Sequence, residues 1–407
     1  MYFKLAWRNI WRAPRRTAVI LIAVIIGVWS MAFLGALMRG ISDQMVRNGI
    51  ATLTGHIQIH HKGYRSDPVI ENNMAKPSVI EKVMRDVLPA DALWTSRVRV
   101  NAVASNARHS SGLTLVGIHP LSEARISFIG EAISQGHYLK PNDVLGIVIG
   151  KVLAEDFETE LGKKLVLMSQ DKDQEIASRA FRIVGIFTAE MEATEKRFAF
   201  VTISAAQEML GLNKEISEIS IKLSSYKEAN TVAYGLRSAL WSSDYEIHTW
   251  QELLPLVTAV LGMYDGFIFL WFLVVFIAMG FGIVNTTLMA VFERMREFGL
   301  LKALGMKPWW IVRQVLTESF FLLVIGIIIG NGIGLWTVSA LSSNGIDLSS
   351  LAKGMEFVGM SHIIYPAFYA KDMITANLVV FVLGLLVSLY PAIKAARFTP
   401  LQAMTHT

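Results

Sequence analysis

The chain has no cysteine among its 407 residues. That absence excludes disulfides, thiolate metal sites, cysteine nucleophiles and lipid attached through cysteine. A domain outside the cytoplasm must then be held by its own core. Charge is scarce too: Asp, Glu, Lys and Arg supply 17% of the residues against 53% hydrophobic, and the mean hydropathy is +0.44. So apolar a composition does not suit an ordinary soluble protein and reads as a membrane protein. Two catalytic patterns are also missing. The phosphate-cradling G-x-x-x-x-G-K-[ST] loop does not occur; the nearest stretch, 146–152, has the wrong spacing and no hydroxyl. Nor does H-E-x-x-H occur, and all nine histidines fall outside the long apolar runs, which argues against an intramembrane metalloprotease. No nucleophile and base stand out as a pair.

What the chain does have is long apolar runs, at 17–38, 267–292, 317–341 and, shorter, 375–390. A run of about 18 residues or more is long enough to cross a bilayer. The first follows Lys4, Arg8, Arg12, Arg15 and Arg16 and so has the basic flank of a secretory signal. It is too long for one, and no A-x-A site closes it, so it reads as a retained anchor. The resulting map has an amphipathic segment at 1–16, four spans, a domain at 39–266, a charged connection at 293–316, a loop at 342–374 and a tail at 391–407. Basic residues orient it. Five lie before the first span, five in the 293–316 connection against two carboxylates, and two in the tail, so these segments hold +10 of a chain whose net charge is only +5. They are expected in the cytoplasm, with both termini, and the domain outside. The basic balance therefore reports topology and not nucleic-acid binding.

Between the first two spans, short runs at 98–104, 113–118, 146–149, 165–169, 181–187, 198–201 and 219–223 read as strands. Helical patterns fit 77–88, 152–161, 204–210 and 227–240. The expectation is an α-helical integral membrane protein with four transmembrane helices and a large extracytoplasmic α+β domain, in two lobes, between helices 1 and 2. In GHIQIHH, His56 and His60 share one face of a strand about 13 Å apart, too far for one metal ion. They are read as part of an exposed strand face.

The most distinctive segment is ERMREFGLLKALG, 293–305, set between two spans. Its charge cannot lie in lipid without large cost, so it protrudes at one face. It reads as a short helix stopped by Gly305, with Pro308 opening the next helix. One reading is a solvated loop helix. The other is a coupling element that docks on a separate protein, with Phe298, Leu301 and Leu304 as its apolar face. Trp309 and Trp310 fit an aromatic anchor at the interface. Gly326, Gly330 and Gly334 recur every fourth residue, which suits close helix packing. Asn285 and Asn331, polar within spans, read as interhelical hydrogen-bonding groups. Glu318 is the ionisable residue nearest a span interior.

The 293–305 segment, preceded by FGIVNTTLMAVF, resembles the signature of the ABC-transporter permease family that includes the lipoprotein-releasing Lol permeases, MacB and FtsX. LAWRNIWRAPRRT near the start and PAIKAARFTPLQAM near the end are similar to the family's opening and ending, and GIVIGKVLAEDF, FRIVGIF and RFAFVTISAAQEML within the domain are similar to segments of its Lol branch. The resemblance implies a fold that passes ATP-driven motion through the membrane. It makes Glu293, Arg294, Arg296, Glu297, Gly299, Ala303 and Gly305 the coupling region. It makes residues 5–16 an inner-leaflet helix with Trp7 and Trp11 buried and Arg8, Arg12, Arg15 and Arg16 on anionic headgroups. The implied partners are a cytoplasmic ATPase that binds ATP and Mg, a second permease protomer alike or different, a periplasmic lipoprotein chaperone and membrane lipids. This chain itself would be no enzyme and carry no cofactor, and it would sit in the bacterial inner membrane. Lipoprotein release, peptide or drug export, and activation or sensing through an ATPase all remain open on this reading.

Overall fold

The computed structural model describes residues 2–241, 244–347 and 363–398, with side chains from Trp7 onward. The last nine residues, with the end of the PAIKAARFTPLQAM stretch, and residues 348–362 of the 342–374 loop lie outside the described residues. Among the described residues the chain divides into two compact units, one of residues 2–43, 260–347 and 363–398, the other of 44–259.

The N-terminal helix α1 (Tyr2–Arg12) and the 36-residue α2 (Pro14–Gly49) meet at Ala13, where Pro14 takes the first helical turn. The corner is tied by the Thr17 hydroxyl, which donates to the Ile10 carbonyl at 2.5 Å. After α2 a wide turn, Ile50–Thr54, holds Leu53 at φ 74, a costly conformation for a residue with a branched side chain.

The 44–259 unit is α+β. Its elements in order are β1 (Ile57–His61), α3 (Pro77–Val87), β2 (Leu93–Ser105), β3 (Ser110–Ile118), α4 (Pro120–Ile126), β4 (Ile133–Gly136), β5 (Gly146–Gly150) and α5 (Lys151–Asp156). Then come β6 (Lys164–Gln170), β7 (Ile176–Phe187), α6 (Glu192–Arg197), β8 (Phe198–Thr202), α7 (Ile203–Met209), β9 (Glu218–Lys222), α8 (Ala229–Ala239), β10 (Tyr245–Thr249) and α9 (Trp250–Leu253). One ten-stranded sheet runs β10-β1-β9-β2-β3-β8-β5-β7-β4, and β6 bridges β2 and β7. That bridge closes a ring of six strands, β2-β3-β8-β5-β7-β6. The long β2 serves both regions: its first half pairs with β9 of the open flank and its last residues with β6 of the ring. The helix expected over 152–161 is only α5, because Glu158 at φ 47 and Gly162 at φ 82 turn the chain out of it.

The histidine strand corrects its reading. β1 lies within the sheet between β9 and β10, and His56 and His60 are buried, not on an exposed face, with the His60 ring stacked on Tyr64 at 5.1 Å. Beside them sits a charge cluster with no signal in the sequence. Arg97, fully buried on β2, donates to both oxygens of Glu123 at 2.9 and 2.8 Å and to Glu218 at 2.7 Å. It also donates to the Leu53 carbonyl, which accepts from Gln58 Nε2 at 3.2 Å as well. The guanidinium thus fixes the strained turn after α2. Removing it would strand two carboxylates in the interior at a cost of about 3–5 kcal/mol.

The remaining elements are α10 (Pro255–Glu293), α11 (Met295–Ala303), α12 (Pro308–Asn344), the two-stranded β11 (Ile346–Asp347) and β12 (Ile363–Ile364), and α13 (Ala370–Arg397). Among the described residues, helices α2, α10, α12 and α13 are the four long and apolar enough to cross a membrane. All run past the apolar runs that mark them in the sequence. The fourth run ends before Pro391, yet α13 continues through that proline, which is buried in the bundle. Proline is tolerated within membrane helices where neighbours compensate the missing backbone bond.

A glycine seam joins α12 to α2. A Cβ on Gly326 would meet Val24 at 2.6 Å, on Gly330 Val28 at 2.8 Å, and on Gly334 Ala32 at 3.1 Å. Each glycine therefore faces one residue of an i, i+4, i+8 ridge on α2. Polar ties add to the seam. Trp29 Nε1 donates to Thr337 at 3.2 Å, and Asn331 and Asn377 exchange amide bonds at 3.0 and 3.3 Å between α12 and α13. Asn285 departs from the interhelical reading: it lies on an exposed face of α10. At the far end of this bundle Arg39 bridges Asp372 on α13 at 2.6 Å and Asp265 on α10 at 2.7 Å.

The buried histidines give the 44–259 unit an acid sensitivity. Burial pulls His56 down to about 4, assisted by Lys222, and pulls His60 down to about 4 against the opposing charge of Glu218. Burial alone would raise the Glu218 carboxyl, but Arg97 and Arg99 outweigh it and hold it below its ordinary 4.5. Both histidines are neutral when folded and titrate near 6.5 when unfolded. Their contribution is complete above about pH 6.5 and is lost as pH falls toward 4, whereas that of Glu218 is lost only below 4.5. Thermal melts of the purified chain should thus begin to weaken near pH 6.5, and His60→Gln should flatten the limb between pH 6.5 and 4. A wild-type melt that is flat down to pH 4.5 would refute this account.

Candidate functional site

The 293–305 segment forms a break, a short helix and a turn. α10 ends at Glu293, Arg294 leaves helical geometry at φ −105 and ψ 15, and α11 follows. Gly305 at φ 91 ends it, and Pro308 opens α12. A left-handed residue at this point is why glycine suits the stop.

The two faces of α11 differ from the expectation. Phe298 is not free to dock elsewhere: it is 3% exposed, within a cluster that includes Val291, Ile311, Val315, Ala392 and Ala395. Leu301 packs on the same cluster, and Gly299 is buried. Of the expected apolar face, Phe298 and Leu301 point inward, because the bundle's own α12 and α13 lie there. Outward stand Leu300, 59% exposed, and Leu304, 77% exposed, with Ala303 and Gly305 also exposed. Lys302 reaches across to the end of α13 and donates to the carbonyls of Ala396 at 2.9 Å and Phe398 at 2.5 Å. A cation on the last carbonyls of a helix complements its dipole.

Charge ties this segment to α1, α2 and α12. Arg294 donates to Glu318 on α12 at 2.9 Å, and Asn9 on α1 donates to the same oxygen at 2.8 Å. Arg294 also reaches Glu297 at 3.2 Å, and Glu297 accepts from Arg12 at 3.2 Å. Arg16 pairs with Glu293. The arginines expected on lipid headgroups thus divide: Arg12 and Arg16 take protein carboxylates, while Arg8 and Arg15, exposed, take none among the described residues. Trp7 and Trp11 form an edge contact with centroids 6.0 Å apart and keep 45% and 58% of their surface. Trp7 also meets Phe321 of α12 at 5.8 Å.

The pairs are unequal. Arg12–Glu297 is exposed and contributes little, on the order of 0–1 kcal/mol. Arg294–Glu318, each side chain 17% exposed, sits where water competes less. Glu318 is therefore an ion-paired anchor for the helix break. The role of Asn9 gave no sign in the sequence, since its partner lies 309 residues away. Among the described residues no group of histidine or carboxylate side chains could hold a metal ion.

Comparison with known proteins places this architecture. The FtsX-like permease C-terminal model matches residues 267–400, and the MacB-like periplasmic core domain model matches residues 17–239. The chain belongs to the MacB and FtsX family of ABC transporter permeases. The large α+β domain of this permease is accordingly periplasmic. It is 22% identical to the LolC lipoprotein-releasing transmembrane protein of Xylella fastidiosa, over 97% of this chain and 96% of that one. An ABC transporter permease of Methanocaldococcus jannaschii is 25% identical over 68% of this chain and 66% of its own length. The macrolide export ATP-binding/permease protein MacB 2 of Yersinia pestis is 20% identical over 99% of this chain, which spans only 57% of that protein.

The ion pairs of this permease can be tested at their most enclosed member. Glu318→Gln leaves Arg294 facing a neutral amide and should lower the melting temperature of the purified permease, while Arg294→Gln with Glu318→Gln should recover part of the loss. Single and double variants that melt together with wild type would show that the pair holds nothing.

Proposed function

We propose that this permease is the membrane subunit of an ABC transporter whose ATPase is a separate polypeptide, and that α11 is where the two meet. The observation carrying the reading is the division of α11 into a face committed to the permease's own bundle and an outward ledge of Leu300 and Leu304. A short helix braced on one side and apolar on the other suits docking to a partner in water. The absence of a phosphate-cradling loop in the sequence supports placing hydrolysis in the partner. On this reading the α10–α12 connection and both termini are cytoplasmic, in line with their basic residues. Two protomers, alike or different, form the transport unit in the inner membrane. ATP-driven motion enters at α11 and is passed to the periplasmic domain.

For the substrate, lipidated proteins or other amphipathic molecules extracted from the outer leaflet are the favoured class. Similarity to LolC along nearly the whole chain supports this, and a periplasmic lipoprotein chaperone would then receive the product. Export of a peptide or drug is the second reading, favoured by the similarity to MacB 2.

The reading is tested by purifying the permease with and without a candidate ABC ATPase subunit co-expressed with it. The chain alone should not hydrolyse ATP, and the complex should. Leu300→Asp with Leu304→Asp should reduce co-purification at least ten-fold with the permease still folded, because a carboxylate on a desolvated apolar contact is costly. Normal docking of that variant would remove α11 as the contact, and hydrolysis by the isolated chain would overturn the assignment. Lipidated ligands in the complex, identified by mass spectrometry, decide between release and export.

A further inference from the structure

On the outward side of α12 and α13 lies an open crevice of about 660 Å³, a size that holds ligands of several hundred daltons. Its walls are apolar: Phe320 on α12 faces Leu385, Leu386 and Leu389 on α13. At one end stand Trp309 and Arg313. Trp309 is 66% exposed, and the Arg313 guanidinium lies 5.6 Å from the Trp310 ring. The other polar lining group, Thr317, already donates its hydroxyl to the Arg313 carbonyl at 2.7 Å. Among the described residues no carboxylate lines the crevice, and Glu318 turns to Arg294 instead.

Two quantities identify the occupant. From Trp309 to Phe320 is a rise of about 16 Å along the helix, and one leaflet of the hydrocarbon core is about 15 Å deep. The crevice therefore runs from the membrane interface to about the midplane, as an acyl chain does. Its charged end carries one cation beside an interfacial tryptophan, with no acid to repel a phosphate. A basic group beside an apolar groove between spans is how a protein selects an anionic headgroup.

We propose that this crevice binds an anionic phospholipid, its headgroup on Arg313 and one acyl chain between α12 and α13. The site lies on α12 and α13 and does not include Leu300 or Leu304, so it stands or falls apart from the ATPase reading and holds in either orientation of the chain.

Native mass spectrometry of the purified full-length permease, titrated with phosphatidylglycerol or phosphatidylcholine of matched chains, tests it. Wild type should retain phosphatidylglycerol about five-fold more tightly. Arg313→Gln should erase that preference and Arg313→Lys keep most of it, while Leu386→Trp, which fills the crevice, should weaken both lipids. Equal retention of the two lipids by wild type, or a preference unchanged in Arg313→Gln, would overturn the proposal. So would a permease dimer that Leu386→Trp dissociates, since a second copy would then cover the crevice.

Discussion

The membrane bundle depends on how closely α2 lies against α12. Inside a bilayer the lipid is as apolar as leucine, so helices gain little by hiding apolar surface from it, and packing must come from close contact. Gly326, Gly330 and Gly334 supply that contact by accepting the Val24, Val28 and Ala32 ridge. Any side chain at Gly330 would meet both Val28 and the Ile25 carbonyl within 3.0 Å, so the separation has no slack. Once this register is set, the first turns of α2 and the α1 helix before it fall beside the α10–α11 break. The pairs Arg16–Glu293 and Asn9–Glu318 are consequences of the seam.

The periplasmic domain solves a different problem, in which a helix must end on a sheet. The wide turn after α2 holds Leu53 in a left-handed conformation, which persists only when its surroundings over-determine it. Here the Leu53 side chain is buried in an apolar cluster with Val116, Phe187 and Phe200, while its carbonyl accepts from Arg97 and Gln58. Burying a charged arginine is expensive, and Glu123 and Glu218 offset the cost only because all three meet at hydrogen-bonding distance. The cluster is a specific lock on one turn.

How much of this was legible in the sequence follows from which interactions are local. The four spans, the strands of the ring and the glycine repeat are periodic, and periodicity can be read along a chain. The turn between α11 and α12 could be placed because Gly305 and Pro308 punctuate it. What stayed hidden depends on distant partners. Arg97 meets residues 26 and 121 positions away, and nothing near it in the chain distinguishes it from a solvated strand arginine. The histidines of β1 were misread for a related reason: alternation shows which residues share a face, but groups such as Tyr64, stacked on His60, decide whether that face is covered. Phe298 was assigned outward because it is an apolar residue in a charged segment, and only the position of α12 and α13 shows that its pocket is internal.

The inward face of α11 also determines what a push on its outward face can do. Leu300 sits on, and Leu304 caps, a helix of nine residues, too short to be stable by itself in water. Its position is set by three attachments: Phe298 in the cluster shared by α12 and α13, Lys302 on the last carbonyls of α13, and Arg294 on Glu318 of α12. A displacement of the ledge therefore cannot be absorbed by α11 alone. It must either break a buried contact or move α12 and α13 together, and these two helices are already joined by the Asn331–Asn377 amide pair further along. Because α12 is seated on α2 through glycines that leave no free space, the movement continues into α2. On the coupling reading proposed above, the packing that joins α11 to α12, α13 and α2 would carry such a push as a concerted shift of the bundle.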